Sequence, residues 1–425
     1  MKHVAVKSLL SVMLSLMMVV VFVPAVAFAD EPDAADAGQA TGLEVESNDT
    51  IQPLVEFSDQ DLEQENEYGV ESVEGGLNPV KATDYSKYGV LTVNAPTTPT
   101  KAGAGTTSQM TRTSAGTAYW PVTVTEPCVL AIYSYYTFSA SQTTYLNIYR
   151  DSSCSNAIGG DTYIYRSTDG SYKNCQYFPL TSGGTYYIGV KLPSGAAVSS
   201  SNSMKVVLCV DKYAMATSET TIKPNKMYGV CTSAANSVVN LNLTAAKTGY
   251  LRVRTDASTS TVLKKAKDGT VLGSQQSTLY YPTFGVKKGR AYQLSTTLPS
   301  YNLSTKGFYV YAKNTAIKNK SGSSKKRAAT LKKNKYKKGL VIAGTTKAQW
   351  FKFKKTNSKN FKFVFKGATN NTFKITIMKG SQKLTYTYDY SLASMSQGFY
   401  GPSGTYYIKV TPTSKSSGWY NIKWK

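Results

Sequence analysis

One strand motif occurs three times in this chain, at nearly the length of a domain. It reads Gly-Gly-Thr-Tyr-Tyr-Ile-Gly-Val-Lys-Leu-Pro-Ser over Gly183–Ser194 and Ser-Gly-Thr-Tyr-Tyr-Ile-Lys-Val-Thr-Pro-Thr-Ser over Ser403–Ser414. A degraded copy, Gly-Arg-Ala-Tyr-Gln-Leu-Ser-Thr-Thr-Leu-Pro-Ser, covers Gly289–Ser300. Aligned on Tyr186, Tyr292 and Tyr406, the copies stand 106 and 114 residues apart. That interval is one domain per copy, so the chain is built from tandem units.

The same order of signals surrounds each copy. An apolar strand pattern comes first: Cys128-Val-Leu-Ala-Ile-Tyr133, Gly249-Tyr-Leu-Arg-Val-Arg254 and Asn360-Phe-Lys-Phe-Val-Phe-Lys366. A strand running into a turn follows at Tyr145–Asp151, Val262–Gly269 and Phe373–Gly380, and a closing strand at Met204–Val210, Phe308–Lys313 and Tyr420–Lys425. Alternation of period two, Val/Thr/Tyr enrichment and closely spaced turn residues predict antiparallel strands throughout. With no sustained 3.6-residue stripe, the expected fold is all-β: three tandem antiparallel, jelly-roll-like β-sandwiches. The expected boundaries are 86–213, 214–314 and 328–425, with a basic linker at 315–327.

The third unit carries a family resemblance. Leu331-Lys-Lys-Asn-Lys-Tyr-Lys-Lys-Gly-Leu340 precedes Ala348-Gln-Trp-Phe-Lys-Phe353, and Gly404-Thr-Tyr-Tyr-Ile-Lys-Val410 comes later. This order resembles the bacterial pre-peptidase C-terminal domain, a jelly-roll-like sandwich appended to secreted enzymes and surface proteins. The second unit matches through Asn225-Lys-Met-Tyr-Gly229 and Tyr292, the first mainly through Thr185 to Val190, so the resemblance spans about residues 88–425. Family members often place acidic residues before the aromatic strand, sometimes with calcium. Here that position reads Ala348-Gln349-Trp350, so calcium is not carried over.

Residues 1–29 read as a signal peptide: Lys2, His3 and Lys7, an apolar run over Leu9 to Val23, then Ala27-Phe28-Ala29. Export to the extracellular space is expected, with non-covalent surface association and no membrane span in the mature chain. Charge then divides the rest. Asp30 to Val80 holds 15 acidic residues and no Lys or Arg, whereas from Lys306 onward 26 basic residues face one acid, Asp389. The acidic stretch has little apolar surface to offset chain entropy, so 30–85 is expected to be a disordered leader. Its role is either solubilising or that of an intramolecular counter-ion to the basic body.

Five cysteines in an exported chain favour disulfides, and the four in the first unit (Cys128, Cys154, Cys175, Cys209) allow three pairings. A Cys154–Cys175 bridge is expected, because the pair flanks the Tyr163/Tyr165 strand and its Asp169-Gly170 turn. The odd Cys231 implies an inter-domain bridge or a free thiol. The only histidine, His3, leaves with the signal, so no imidazole base, histidine-dependent triad or histidine metal ligand remains. No catalytic residue, cofactor or metal is assigned, and a non-enzymatic protein is expected.

Two surfaces are candidates for binding. Strand parity turns Leu130, Ile132, Leu146 and Ile148 inward, sending Tyr133, Tyr135, Tyr145 and Tyr149 outward, with Tyr163 and Tyr165 on one face of the next strand. Exposed tyrosine suits stacking on sugar faces or contact with a protein; it equally serves as cross-strand sheet packing. The equivalent outward positions are Arg252 and Arg254, then Lys362 and Lys366. In the third unit Lys325, Lys326, Arg327, Lys332, Lys333, Lys337, Lys338, Lys362 and Lys366 are candidates for polyanion contact, or a solvated face that deters edge pairing. The expected function is extracellular binding or adhesion at a microbial envelope. Its partners would be glycan, anionic or sulfated wall polymer, or a host surface protein, with no nucleic acid. The competing class is a polysaccharide-active enzyme or its accessory module.

Overall fold

The computed structural model describes residues 52–56, 91–92, 106–172, 174–232, 237–255, 259–276, 281–297, 307–389, 394–413 and 415–425. The signal-peptide reading at 1–29 lies outside the described residues, as does most of the acidic leader. Every regular element among the described residues is a strand. The first are β1 (Gln52–Glu56) and β2 (Leu91–Thr92). Next come β3 (Thr106–Arg112), β4 (Gly116–Val124), β5 (Cys128–Thr137), β6 (Tyr145–Tyr149), β7 (Thr162–Tyr163), β8 (Asn174–Leu180), β9 (Gly184–Leu192) and β10 (Met204–Ala216). They are followed by β11 (Met227–Cys231), β12 (Val238–Thr244), β13 (Gly249–Arg254), β14 (Ser260–Lys265), β15 (Val271–Gln276), β16 (Thr283–Val286), β17 (Ala291–Thr297) and β18 (Gly307–Ala316). The last are β19 (Ala329–Thr330), β20 (Lys337–Val341), β21 (Gln349–Lys355), β22 (Lys359–Thr369), β23 (Phe373–Lys379), β24 (Gln382–Tyr388), β25 (Ser394–Gly401), β26 (Gly404–Pro412) and β27 (Gly418–Trp424).

These strands enclose three separate sandwich cores. The first is built around Trp120, Leu130, Ile132, Leu146, Ile148, Tyr186 and Ile188. The second gathers Leu241, Leu251, Val253, Leu263, Phe284, Tyr292 and Phe308, and the third Phe351, Phe353, Phe363, Phe365, Ile375, Tyr406 and Tyr420. One sheet of the first sandwich, the front sheet, has the order β2-β4-β9-β6-β7. Its other sheet continues into the second sandwich as β8-β5-β10-β11-β18-β13-β16. The join is β10: β3 pairs with it over Met204–Val210, and β11 pairs parallel to it over Ala214–Ala216. A domain boundary at 213/214 therefore falls inside a strand. The remaining sheets are β12-β17-β14-β15 in the second sandwich, and β1-β25-β22-β27-β20 with β19-β21-β26-β23-β24 in the third.

The recurrent tyrosine explains the repeat. Tyr186, Tyr292 and Tyr406 are each buried at equivalent places on β9, β17 and β26. The Tyr186 hydroxyl donates to the Ser182 carbonyl at 2.8 Å and Tyr406 to the Pro402 carbonyl at 2.7 Å, while Tyr292 accepts from the Lys287 amide at 3.0 Å. Each ring fills the core while its hydroxyl satisfies a backbone group of the turn just upstream. Gly184 and Gly404 enter their strands at φ 148° and 133°, a region that side chains disfavour, which accounts for glycine in the motif.

Residues 315–327, expected as a basic linker, are hydrogen-bonded to the sandwiches on either side. The Ile317 amide donates to Thr248, Lys320 to the Lys338 carbonyl, and Gly322 exchanges hydrogen bonds with Trp350. Beside them Leu340, Ala368 and Trp419 form a small core with Tyr250, Ile317 and Ile342, and the Tyr250 and Trp419 rings stack at 5.6 Å. The second and third sandwiches thus meet through packed apolar surface. The leader is also corrected in part: Gln52–Glu56 is a strand, paired antiparallel with β25.

No disulfide joins any of the five cysteines, so the expected Cys154–Cys175 bridge is absent. The reason is topological. β7 belongs to the front sheet and β8 to the shared sheet, so Tyr163 and Cys175 are not on one hairpin. Cys154 lies against Gly189 on the outer side of the front sheet, whereas Cys175 stands opposite Tyr133 on the shared sheet. Alkylation of the unfolded, unreduced protein should label five thiols by mass spectrometry; three would restore a bridge. A second expectation concerns the repeated tyrosine. Burial pushes the Tyr406 phenol up to about 12, keeping it a protonated donor. Tyr406→Phe should cost about 1–2 kcal/mol by orphaning the Pro402 carbonyl, seen as a lower calorimetric midpoint.

Candidate functional site

The front sheet has one face in the core and one outside, and parity settles which residues are which. Trp120 and Val122 of β4, Leu146 and Ile148 of β6, and Tyr186, Ile188 and Val190 of β9 point inward. Tyr119 and Pro121, Tyr145, Asn147 and Tyr149, and Tyr187, Gly189 and Lys191 therefore share the outer face. Register sets their order: Pro121 and Tyr149 flank Tyr187, Tyr145 stands opposite Lys191 on one side, and opposite Tyr163 on the other. Tyr165 continues the row beyond β7.

Six tyrosines thus lie on one surface. Tyr163 and Tyr165 are each 52% exposed and Tyr119 is 37% exposed, while Tyr145 and Tyr187 are half-buried. The rings brace one another. Tyr119 meets Tyr187 edge-on at 5.1 Å, Tyr145 meets Tyr163 at 4.9 Å, and Tyr163 meets Tyr165 at 6.4 Å. A hydrogen bond to Tyr163 raises the Tyr145 phenol above its ordinary value. Tyr149 lies down over Gly189, where a Cβ would collide with its ring, and burial raises its phenol. Gly189 is thus fixed by the close approach of this ring.

Polar groups border the rings. Asn147 is buried and donates to the Gly159 carbonyl at 2.7 Å and to Asp161 Oδ1 at 2.9 Å. That holds the exposed Asp161 carboxylate beside Tyr145 and Tyr149. The neighbouring Asp151 is committed to its own turn, accepting from the Ser153 hydroxyl, the Ser155 amide at 3.1 Å and the Asn156 amide at 2.7 Å. The Ser153 hydroxyl and these amides hold its carboxyl far below the usual range. Asp169, Glu219 and Asp268 are likewise bonded to nearby Ser, Asn or Thr side chains. The platform offers rings, one carboxylate and one ammonium.

The other two expected tyrosines are elsewhere. Tyr133 and Tyr135 do point away from the first core, but onto the shared sheet, where they are only 1% and 6% exposed. They join Tyr172, Tyr177, Tyr213, Tyr309 and Tyr311 in a second apolar layer spanning both sandwiches. Tyr149, at 6%, is on the platform but contributes as its floor. Sequence reasoning missed Tyr119 and Tyr187. Both were visible as outward positions of alternating strands, Tyr187 inside the repeat motif itself.

The cations are also redistributed. Arg252 and Arg254 are buried, lying over the rings of Tyr250 and Tyr281 at 5.5 and 4.9 Å, and burial lowers the Arg252 pKa. Lys366 is buried with its ammonium 4.8 Å from the Tyr336 ring centre, and Lys362, four residues earlier on β22, is half-buried. Lys337 donates to the Thr330 carbonyl at 2.7 Å, and burial, then Lys320 and Lys332, lower its pKa. Lys326, Arg327, Lys332, Lys333 and Lys338 are exposed on turns and on β20. Lys325 alone of this set reaches a ring on the β21 sheet, 5.1 Å over Tyr407. That sheet's outer face carries Lys352, Lys354, Lys374, Lys383 and Lys409 around Trp350 and Tyr407, with Lys409 5.7 Å over Trp350. This cationic face is one the sequence reading did not single out, and it stands beside the expected lysines rather than among them.

No family model and no curated protein matches the chain. Among solved structures, the chain is similar to the pre-peptidase C-terminal domain of a Bacillus anthracis collagenase, at 16% identity. That match covers 23% of this chain and 92% of that one, with a TM-score of 0.19. It is also similar to the tandem CBM22-1–CBM22-2 domains of Paenibacillus barcinonensis Xyn10C, at 10% identity over 47% of this chain and 90% of that one, TM-score 0.15. A third likeness is to the CUB1-EGF-CUB2 region of human MASP-1/3, at 6% identity over 47% and 99%, TM-score 0.16.

The cationic face generates its own test. Changing Lys352, Lys374 and Lys409 together to Gln should lower the salt needed to elute the protein from a sulfated-glycan resin, through fewer released counterions. Elution at unchanged salt would locate the contacts elsewhere.

Proposed function

We propose that this chain is a secreted, non-enzymatic binding protein of a microbial envelope, holding glycan on the tyrosine face of its first sandwich. The observation that carries this reading is the braced row Tyr119, Tyr187, Tyr145, Tyr163 and Tyr165 on a rigid sheet. Flat rings with hydroxyls at their rims match the apolar faces and hydroxyl edges of sugars. Asp161 and Lys191 at the border supply acceptor and donor at fixed places. The basic face of the third sandwich adds electrostatic attachment to anionic wall polymer or sulfated glycan, strong at low salt and screened at high salt.

A polysaccharide-active enzyme is the other class of reading. Glycoside hydrolysis asks for a pair of carboxyl groups facing one bond about 5–10 Å apart. The platform supports binding better, because Asp161 is its one exposed carboxylate and Asp151 is spent on a turn.

The decisive comparison is between two double substitutions. Tyr163→Ser with Tyr165→Ser should abolish retention on neutral polysaccharide while the unfolding midpoint moves little. Tyr133→Ser with Tyr135→Ser should instead destabilise the first sandwich by several kcal/mol, on the order of 3–5 for each large core ring lost. Full retention after the first change would end the reading.

A further inference from the structure

One carboxylate on the tyrosine platform is held in place but not spent. On β6 and β7, Tyr145 stands opposite Tyr163 and Leu146 opposite Thr162, so the next position sets Asp161 across from Asn147. The buried Asn147 donates to Asp161 Oδ1 at 2.9 Å and to the Gly159 carbonyl at 2.7 Å, and its own Oδ1 accepts from the Ile148 amide at 2.8 Å. With both ends of that amide engaged, Asp161 rests on a fixed support. Thr162 is buried, so parity turns Asp161 outward with Tyr163. Outward positions on one strand are about 7 Å apart, which sets the carboxylate between the Tyr145–Tyr163 row and Tyr149. Its charge reaches both rings. The Tyr145 phenol, raised first by its hydrogen bond to Tyr163 and by burial, is raised further by Asp161, and Tyr149, raised first by burial, feels the same charge.

Neighbouring acids are occupied. Asp169 accepts from the Ser167 and Ser171 hydroxyls, each at 2.7 Å, Glu126 faces Lys212 at 3.8 Å, and the buried Asp211 accepts from Tyr213. Asp161 forms no ion pair among the described residues, and Lys191 stands on the other side of Tyr145 from Tyr163. Tyrosine ring faces are themselves electronegative, so rings and carboxylate together favour a cation. Calcium would ask for about six to eight oxygens, and no group of three His, Cys, Asp or Glu is gathered among the described residues. An organic ammonium asks for less: one counter-charge and aromatic surface. The row from Tyr145 through Tyr163 to Tyr165, with ring centres 4.9 and 6.4 Å apart, then offers stacking surface for sugars linked to the one that carries it.

We propose that Asp161, with Tyr145, Tyr149 and Tyr163, forms an ammonium-selecting subsite, and that the glycan held here carries free amino groups, as in a polymer of de-N-acetylated hexosamine. This inference rests on the glycan reading above and narrows it to a substrate class. The carboxylate takes the sugar ammonium while the adjoining ring takes the apolar face of the same sugar. Acetylation of that nitrogen removes the charge the subsite selects.

The test is calorimetric titration of the full chain, at physiological salt, with a glucosamine pentamer and with its fully N-acetylated form. The free-amine pentamer should bind about five- to tenfold more tightly, the combined worth of an exposed ion pair and a cation–ring contact. Asp161→Asn keeps an acceptor for Asn147 but removes the charge, so the preference should vanish with an unchanged unfolding midpoint. Repulsion of the amine by the third sandwich is common to both proteins and cancels between them. Tyr163→Ser with Tyr165→Ser should abolish binding of both pentamers. Equal affinities in the native chain, or a preference that survives Asp161→Asn, would overturn the subsite and leave the glycan reading standing. Binding of neither pentamer would overturn both. Displacement of the amine pentamer by equimolar choline would assign the site to a free alkylammonium and also end the proposal.

Discussion

The parallel pairing of β10 with β11 governs which surfaces of this protein are free. β10 runs thirteen residues, and its far end gives its backbone groups to the second sandwich. Buried amides and carbonyls require partners, so once β10 extends past the first core, β11 must meet it. The result is one continuous sheet whose outer face is closed over by aromatic packing. Tyr177 and Tyr213 stack at 6.4 Å, the Tyr177 hydroxyl accepts from the Tyr309 amide at 3.1 Å, and Tyr213 donates to the buried Asp211 at 2.6 Å. Gly229 and Gly307 permit this approach, since a Cβ at either would strike Val129 or Tyr177. With that face consumed, the front sheet holds the first sandwich's open tyrosines.

Such construction suits a binding protein. The platform lies on strands whose other face is a fully packed core, so its rings keep their spacing without help from a ligand. On the proposed glycan reading, ordering completed on folding rather than on binding would limit the entropy lost on docking. The packed junction around Trp419 and Ile317 likewise ties the cationic third sandwich to the second. Two unlike surfaces, one aromatic and one basic, are thereby carried on sandwiches joined by packed apolar contacts.

Much of this was legible in the residues. The Tyr186/Tyr292/Tyr406 interval marks the three units because one device, a buried ring with a hydroxyl closing a turn, was reused. Strand parity correctly separated Leu130 and Ile132 from Tyr133 and Tyr135. Parity says which side a residue faces, however, not whether that side is later covered. The cover over Tyr133 and Tyr135 includes Tyr172, in a layer that extends to Tyr309 and Tyr311, far away in sequence. The Cys154–Cys175 pairing failed similarly, because two neighbouring segments were dealt to opposite sheets. β1 escaped notice since a five-residue strand amid like charges has no periodic signal of its own; its partner supplies the reason to be extended.

The measurement that bears most directly on the glycan reading is tyrosine ring NMR during titration with soluble oligosaccharides. Resonances of Tyr119, Tyr145, Tyr163, Tyr165 and Tyr187 should shift together and saturably, while those of Tyr133, Tyr177, Tyr213 and Tyr309 stay fixed. Shifts confined to the shared-sheet rings, or none at any sugar concentration, would contradict the assignment of this face.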